Sequence, residues 1–429
     1  AMSGRNIAFI ANDSSDLFLV NVDDLNNPSD PVLISSDVQE MSFNAQGDKL
    51  LYKSGSYTVY DVVTSSDIAS GFASNVSDHA YFTPEGNKVV YRDGSRALKA
   101  FEIFNDNTTS PPVNLISKAW VAGGEAPWDG VNPSHISNFQ VAANGKVVYL
   151  ADQEILDVQE LFVTSVADLG AVPVEQKITQ DLTLAADPST LDPTLQRGLP
   201  YSTQSYTLSA DGNKVFYIVD LDETDDNPSR QPFVVDISSL IHIPDPVALG
   251  NDSYHLYSGI ATFASPDSDA VLFNAETGNN IVQLYYVDLS DPANPGTATI
   301  LNGPIEPGFG AGVDSYPQLN PTSQAALLSY NPDVTSAANF GELYMVSVDE
   351  PGQVYRVNSP LPDLGSLSNF SFTEDGLNVV YLADLETQGL RELWTTPVAE
   401  LGTSLRLNPI FPQGALHDGV SSFSISLGE

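Results

Sequence analysis

Glu342-Leu343-Tyr344-Met345-Val346-Ser347-Val348 is the stretch whose reading decides the fold, because variants of it recur along almost the whole chain. Asp16-Leu17-Phe18-Leu19-Val20-Asn21-Val22 and Glu160-Leu161-Phe162-Val163-Thr164-Ser165-Val166 are two such copies. Gln283-Leu284-Tyr285-Tyr286-Val287-Asp288-Leu289 and Glu392-Leu393-Trp394-Thr395-Thr396-Pro397-Val398 are two more. A unit that recurs in this way marks an array of like supersecondary elements. Such an array is a scaffold, and its chemistry is expected on its loops.

Working outward from each copy, the preceding segment is a β-rich run, as in Lys88-Val89-Val90-Tyr91, Lys146-Val147-Val148-Tyr149-Leu150, Lys214-Val215-Phe216-Tyr217-Ile218 and Val379-Val380-Tyr381-Leu382. These apolar runs read as strands buried on both faces. Before each run stands a turn, such as Phe82-Thr83-Pro84-Glu85-Gly86, Leu208-Ser209-Ala210-Asp211-Gly212 or Phe372-Thr373-Glu374-Asp375-Gly376. Glycine closing the turn supplies a positive φ, and Asp, Asn or Pro before it are turn formers. The turns end at Gly47, Gly86, Gly145, Gly212, Ser268, Ser323 and Gly376, between 39 and 67 residues apart. The strands hold constant while the loops between them vary.

One repeat is thus a four-stranded antiparallel meander: an alternating strand into the turn, the buried run, the Glu-Leu-Tyr-type strand, and a short fourth strand such as Pro31-Val32-Leu33-Ile34. Seven repeats carry all four strands, and the N-terminus supplies three. The missing first strand is expected in Val420-Ser421-Ser422-Phe423-Ser424-Ile425-Ser426, which matches Leu367-Ser368-Asn369-Phe370-Ser371-Phe372-Thr373. The fold expected is an all-β, eight-bladed β-propeller forming one domain over residues 1–429. Blade 1 is composite (420–429 with 4–36), and blades 2–8 lie within 37–409. Closure of such a ring removes exposed sheet edges.

The Phe-x-Pro-Asp/Glu-Gly turn, the Val-Val-Tyr strand and the Glu-Leu-Trp/Tyr strand resemble the repeats of TolB-type propellers. The resemblance covers essentially the whole chain and implies the fold. TolB itself has six blades and an additional N-terminal domain, so its partners do not carry over. Propellers of dipeptidyl-peptidase-like serine hydrolases are similar in repeat and reach eight blades, but the chain has no Gly-x-Ser-x-Gly elbow.

Composition narrows the function classes. With 55 acidic and 16 basic residues the formal net charge is −39. Nucleic acid and anionic lipid are repelled by such a surface and are excluded as partners. Divalent cations, a basic protein, or solubility in salt remain compatible with it. The absence of cysteine excludes disulfides, thiolate metal sites and a cysteine nucleophile. Apolar runs are too short to cross a bilayer, so no membrane insertion is expected. The start, Ala1-Met2-Ser3-Gly4, is read as a construction scar or a processed end from which a leader has been removed. The absence of cysteine fits an exported protein, and the periplasm or extracellular space is the expected compartment. A monomer is expected.

Candidate sites fall on one rim, where long insertions cluster: residues 118–130, 180–202 and 303–312 before first strands, and 152–159, 220–230, 331–341 and 384–391 between second and third strands. Trp120 and Trp128 share one insertion, where indoles either stack on a sugar or anchor a protein, or else pin the loop to the blades beneath. The acidic run containing Asp220, Asp222, Asp225 and Asp226 is the best candidate for calcium, although it lacks the EF-hand spacing, and a solvated loop is its plainer reading. His79 and His135 fall at or just before first strands of adjacent blades. With Asp78, Asn138 or Glu40 they form a candidate ligand or metal site at the channel mouth. The function expected is a non-catalytic binding or scaffolding propeller for a protein or carbohydrate ligand, with calcium as the one cofactor considered. The alternative is a polysaccharide lyase. Some lyases are similar propellers with His, Tyr and Arg/Lys at the mouth, and Tyr81, Arg92 and Tyr206 stand near suitable strands here. Their metal-binding histidine groupings have no match in this chain.

Overall fold

The computed structural model describes residues 6–11, 15–21, 29–75, 79–93, 97–116, 136, 138–151, 160–171, 174–179, 203–220, 230–250, 261–263, 269–276, 282–303, 312–313, 317–320, 322, 324–331, 342–362, 365–373, 375–387 and 389–408. The chain is all-β, an eight-bladed propeller by its sheets, and blades 2–8 are each built on four antiparallel strands. Among the described residues the one helical segment is a 3₁₀ turn at Val398–Glu400. No helix among them is long and apolar enough to cross a membrane.

The repeating turn explains why these residues make blades. In five blades the closing glycine has a positive φ: Gly47 (69°), Gly86 (72°), Gly145 (76°), Gly212 (69°) and Gly376 (67°). Each donates its N–H to the carbonyl three residues back, from Gly47 to Asn44 (3.0 Å) through Gly376 to Thr373 (2.8 Å). The residue at the start of the turn then stitches the first strand to the second. Asn44, Ser209, Asn320 and Thr373 accept the backbone N–H five residues on through their side-chain oxygens, at 2.8–3.0 Å.

The second strands of blades 2–8 are buried on both faces, as expected. Lys146–Ala151 is buried at every position, and Val89, Val147, Val215, Val271 and Val379 are wholly inaccessible. Sheets covered on both sides lose the in–out alternation of a half-solvated strand. The cover comes from neighbouring blades, because the apolar clusters of the described residues each span two of them. Val90, Leu98 and Ala100 of blade 3 pack on Phe139, Val147, Tyr149 and Phe162 of blade 4. Val271, Phe273 and Tyr285 of blade 6 pack on Phe216, Ile218 and Val234 of blade 5. Each fully buried side chain of this size contributes about 1.5–3 kcal/mol.

Contacts divide the chain into two compact units. One comprises Ala1–Leu182 with Ser239–Ile243 and carries blades 1–4; the other comprises Thr183–Ser238 and Pro244–Glu429 and carries blades 5–8.

Two blades depart from the common plan. The first-strand position of blade 7 is divided. Gly312–Val313 pairs with the second strand of its own blade and, in parallel, with Val282 of blade 6. Gln318–Leu319 resumes the ordinary pairing, so blades 6 and 7 share one nine-stranded sheet. Blade 1 shows three strands, Asn6–Ala11, Asp16–Asn21 and Val32–Ser35. Ile7 and Ile10 there are 50% and 37% exposed, whereas the matching Val379 and Leu382 of blade 8 are 0%. The strand expected to complete blade 1, residues 420–426, lies outside the described residues.

Candidate functional site

The first strands of blades 2, 3 and 4 bring together the expected site residues that can be described. Glu40 opens the first strand of blade 2 (Glu40–Phe43) and stands opposite Lys53, which in turn stands opposite Tyr57. Three side chains at one level of three adjacent strands therefore meet. The Tyr57 hydroxyl donates a short hydrogen bond to Glu40 Oε1. Lys53 Nζ lies 3.7 Å from the same oxygen and 5.0 Å from the centre of the Tyr57 ring. Lys53 is buried while the Glu40 carboxylate is half exposed. The carboxylate and the tyrosine face together offset the cost of burying the ammonium.

His79 immediately precedes the first strand of blade 3 (Ala80–Phe82), and its carbonyl accepts the Arg92 backbone N–H at 3.0 Å. Residues two apart on a strand share a face, and the His79 ring stacks on Tyr81 at 6.4 Å with 17° between planes. Tyr81 meets Phe139 of blade 4 edge to face at 5.2 Å. Phe139 is buried and Tyr81 is 43% exposed. Arg92 is buried, and its Nη1 donates to the Ile136 carbonyl at 2.6 Å, which ties blade 3 to blade 4. Asn138 opens the first strand of blade 4 (Asn138–Val141) and is exposed.

The surroundings of both tyrosines disfavour ionisation. Burial pushes the Tyr57 hydroxyl up, and its hydrogen bond to Glu40 and the charge of that carboxylate push it further. Burial likewise raises Tyr81, the Glu40 charge adds to it, and the Arg92 charge opposes it. Beside these groups lies a cleft of about 470 Å³ lined by Tyr81, Phe82, Asn138, Phe139, Gln140 and Val141.

Of the expected site residues, Glu40, His79 and Asn138 sit in this region. Asp78, His135, Trp120, Trp128, Asp222, Asp225 and Asp226 lie outside the described residues, as does the side chain of Asp220. Among the described residues no group of three or more His, Asp or Glu converges as metal ligands would. Tyr206 is buried at 9% exposure, and Trp394 is a packing residue whose Nε1 donates to the Ala383 carbonyl at 3.0 Å. Lys53, Tyr57 and Phe139 were not singled out from the sequence. The available signal was the lysine within Leu50-Leu51-Tyr52-Lys53, a charge inside a run buried on both faces, followed by a tight turn at Gly55.

No family model matches the chain, and no curated protein matches it. Solved structures do. A Bacteroides ovatus protein described as a dipeptidyl aminopeptidase IV aligns over 95% of this chain and 61% of its own, at 8% identity and a TM-score of 0.51. An oligogalacturonate lyase in complex with manganese aligns over 92% and 98%, at 11% identity and 0.41. TolB from Acinetobacter baumannii aligns over 69% and 65%, at 13% identity and 0.31. The chain is a β-propeller. At identities this low the likeness speaks to fold alone, and it does not single out the TolB type within the propellers.

Proposed function

We propose that this chain is an exported, non-catalytic propeller that binds a protein or glycan ligand. The observation that carries this reading is the state of the polar groups around Tyr81. Glu40 is engaged by Tyr57 and Lys53, and the Arg92 guanidinium donates to a backbone carbonyl. Catalytic groups need a free proton site near the working pH, whereas recognition needs fixed shape. The Tyr81 ring meets that second need, half exposed over a cleft and braced by His79 and Phe139. The insertion bearing Trp120 and Trp128, and a calcium ion held by Asp220, Asp222, Asp225 and Asp226, belong to the same proposal. So do a monomeric state and a periplasmic or extracellular location.

A lyase is the competing reading, favoured by the proximity of His79, Tyr81 and Arg92. It is weakened by the same geometry, because a uronate carboxylate needs a cation to neutralise it and Arg92 is buried. A panel of glycans and extracellular proteins is presented to the immobilised chain while absorbance reports unsaturated sugar products. Retention of a ligand without product is expected. Unsaturated product from any acidic polysaccharide would overturn the binding reading in favour of the lyase.

A further inference from the structure

We propose that the cleft between the first strands of blades 3 and 4 is a subsite for an uncharged saccharide, with Tyr81 as its stacking platform. The inference rests on the binding reading and names the ligand class for it. Sugars present an apolar C–H face and a rim of hydroxyls, each both donor and acceptor. A complementary site needs an aromatic ring and groups that also donate and accept. Tyr81 supplies the ring, and the polar residues Asn138 and Gln140 line the same cleft with Phe82, Phe139 and Val141. Its volume of about 470 Å³ lies within the range of small-molecule sites.

Pre-organisation is visible at the ring. Tyr81 is stacked by His79 and forms a T-shaped pair with Phe139, so little side-chain freedom is lost when a ligand lands on it. Charge selects against acidic sugars. The Glu40 carboxylate acts on Tyr81, the buried Arg92 is tied to the Ile136 carbonyl, and the chain as a whole carries −39. An uncharged ring escapes that repulsion.

The test is titration calorimetry on the full chain with neutral oligosaccharides (cello-, xylo-, manno- and laminari-tetraose) and with oligogalacturonate. At least one neutral oligosaccharide is expected to bind, and oligogalacturonate is not. Tyr81→Ala should weaken binding about tenfold or more, and Tyr81→Phe, which keeps the ring, by less. Asn138→Ala, at an exposed position, gives an independent loss if Tyr81→Ala fails to fold. The saccharide subsite is overturned if no neutral oligosaccharide binds the wild type, or if the ligand that binds is insensitive to both Tyr81→Ala and Asn138→Ala. Capture of a protein ligand with no saccharide binding sinks the subsite and leaves the binding reading standing. Unsaturated product from oligogalacturonate sinks both.

Discussion

Gly303 shows how a single residue fixes the approach of two blades. Its φ is +69°, and a Cβ built there would stand 3.1 Å from the carbonyl oxygen of Gly352, itself at φ +88°. The carbonyl belongs to backbone, so it has no flexible side chain to swing aside. Gly303→Ala is expected to cost about 1–3 kcal/mol, read as a lower urea midpoint at unchanged slope. An unchanged midpoint would show that the backbone relaxes freely there. Asp211 makes a second case, in the repeating turn. It accepts from the Ser209 hydroxyl at 2.5 Å and from Asn213 N and Nδ2 at 3.0 and 2.9 Å. Burial opposes its ionisation, but those hydrogen bonds together hold its carboxyl below the ordinary 3.8. A folded pKa below the unfolded one gives stability that is whole above the unfolded value and lost as pH falls through the folded one. Asp211→Ala should therefore cost about 1 kcal/mol at pH 7. The gap from wild type should narrow below about pH 4. A gap that is constant down to pH 2.5 would contradict this.

At the scale of the element, the acidic residue that opens the third strand acquires a partner on the fourth. Glu160 pairs with Lys177 at 2.6 Å, Glu342 with Arg356 at 3.4 Å and Glu392 with Arg406 at 3.1 Å. Glu160 and Glu392 are almost wholly buried, and Arg406 also lies 5.9 Å over the Trp394 ring. A buried pair is costly to break and cheap to replace whole. Arg406→Met should lower stability by about 3–5 kcal/mol, because Glu392 loses its buried partner, while Glu392→Met with Arg406→Met should recover most of that loss. Chemical unfolding of the two variants decides it, and a double variant no more stable than the single would contradict the expectation. The Glu-Leu-aromatic signature of the third strand was legible because its strands run six or seven residues with a fixed pattern. Its partners were not legible, because the fourth strands are as short as Gln176–Lys177 and Leu405–Arg406, too brief for any periodicity. The candidate site divides in the same way. Glu40, His79 and Asn138 could be placed at first strands from the turn spacing, but the Lys53–Tyr57 partnership arises from register across three strands, which local sequence does not carry.

For the whole molecule, charge is the dominant long-range term. Lys49, Lys53, Lys99, Lys177, Lys214, Arg356 and Arg406 are each within 4 Å of a carboxylate, so these cations are committed to local pairs. Much of the excess of 55 acidic over 16 basic residues is then left to repel itself. The screening length falls from about 10 Å at 0.1 M salt to about 3 Å at 1 M. The melting temperature is accordingly expected to rise with sodium chloride over that range, and a flat or falling trend by calorimetry would mean that local pairs outweigh the net field. The number of blades was legible because each turn and buried run repeats. The division of blade 7 at Gly312–Val313 was not, since it depends on a backbone pairing with the neighbouring blade. We propose that residues 420–426, which lie outside the described residues, supply the first strand of blade 1. Those residues match 367–373 in order, and Asn6 matches Asn378. In blade 8 Ser371 stands opposite Val380, so Ser424 is expected opposite Ala8. Opposed residues of antiparallel strands bring their Cβ atoms to about 4.5–5.5 Å, close to disulfide reach. The chain has no cysteine of its own, so a double variant, Ala8→Cys with Ser424→Cys, can be oxidised without background. The measurement is gel mobility after oxidation of the native protein at several concentrations. An intramolecular disulfide formed independently of concentration is predicted; thiols that stay free, or that link only between molecules, would contradict the closed ring.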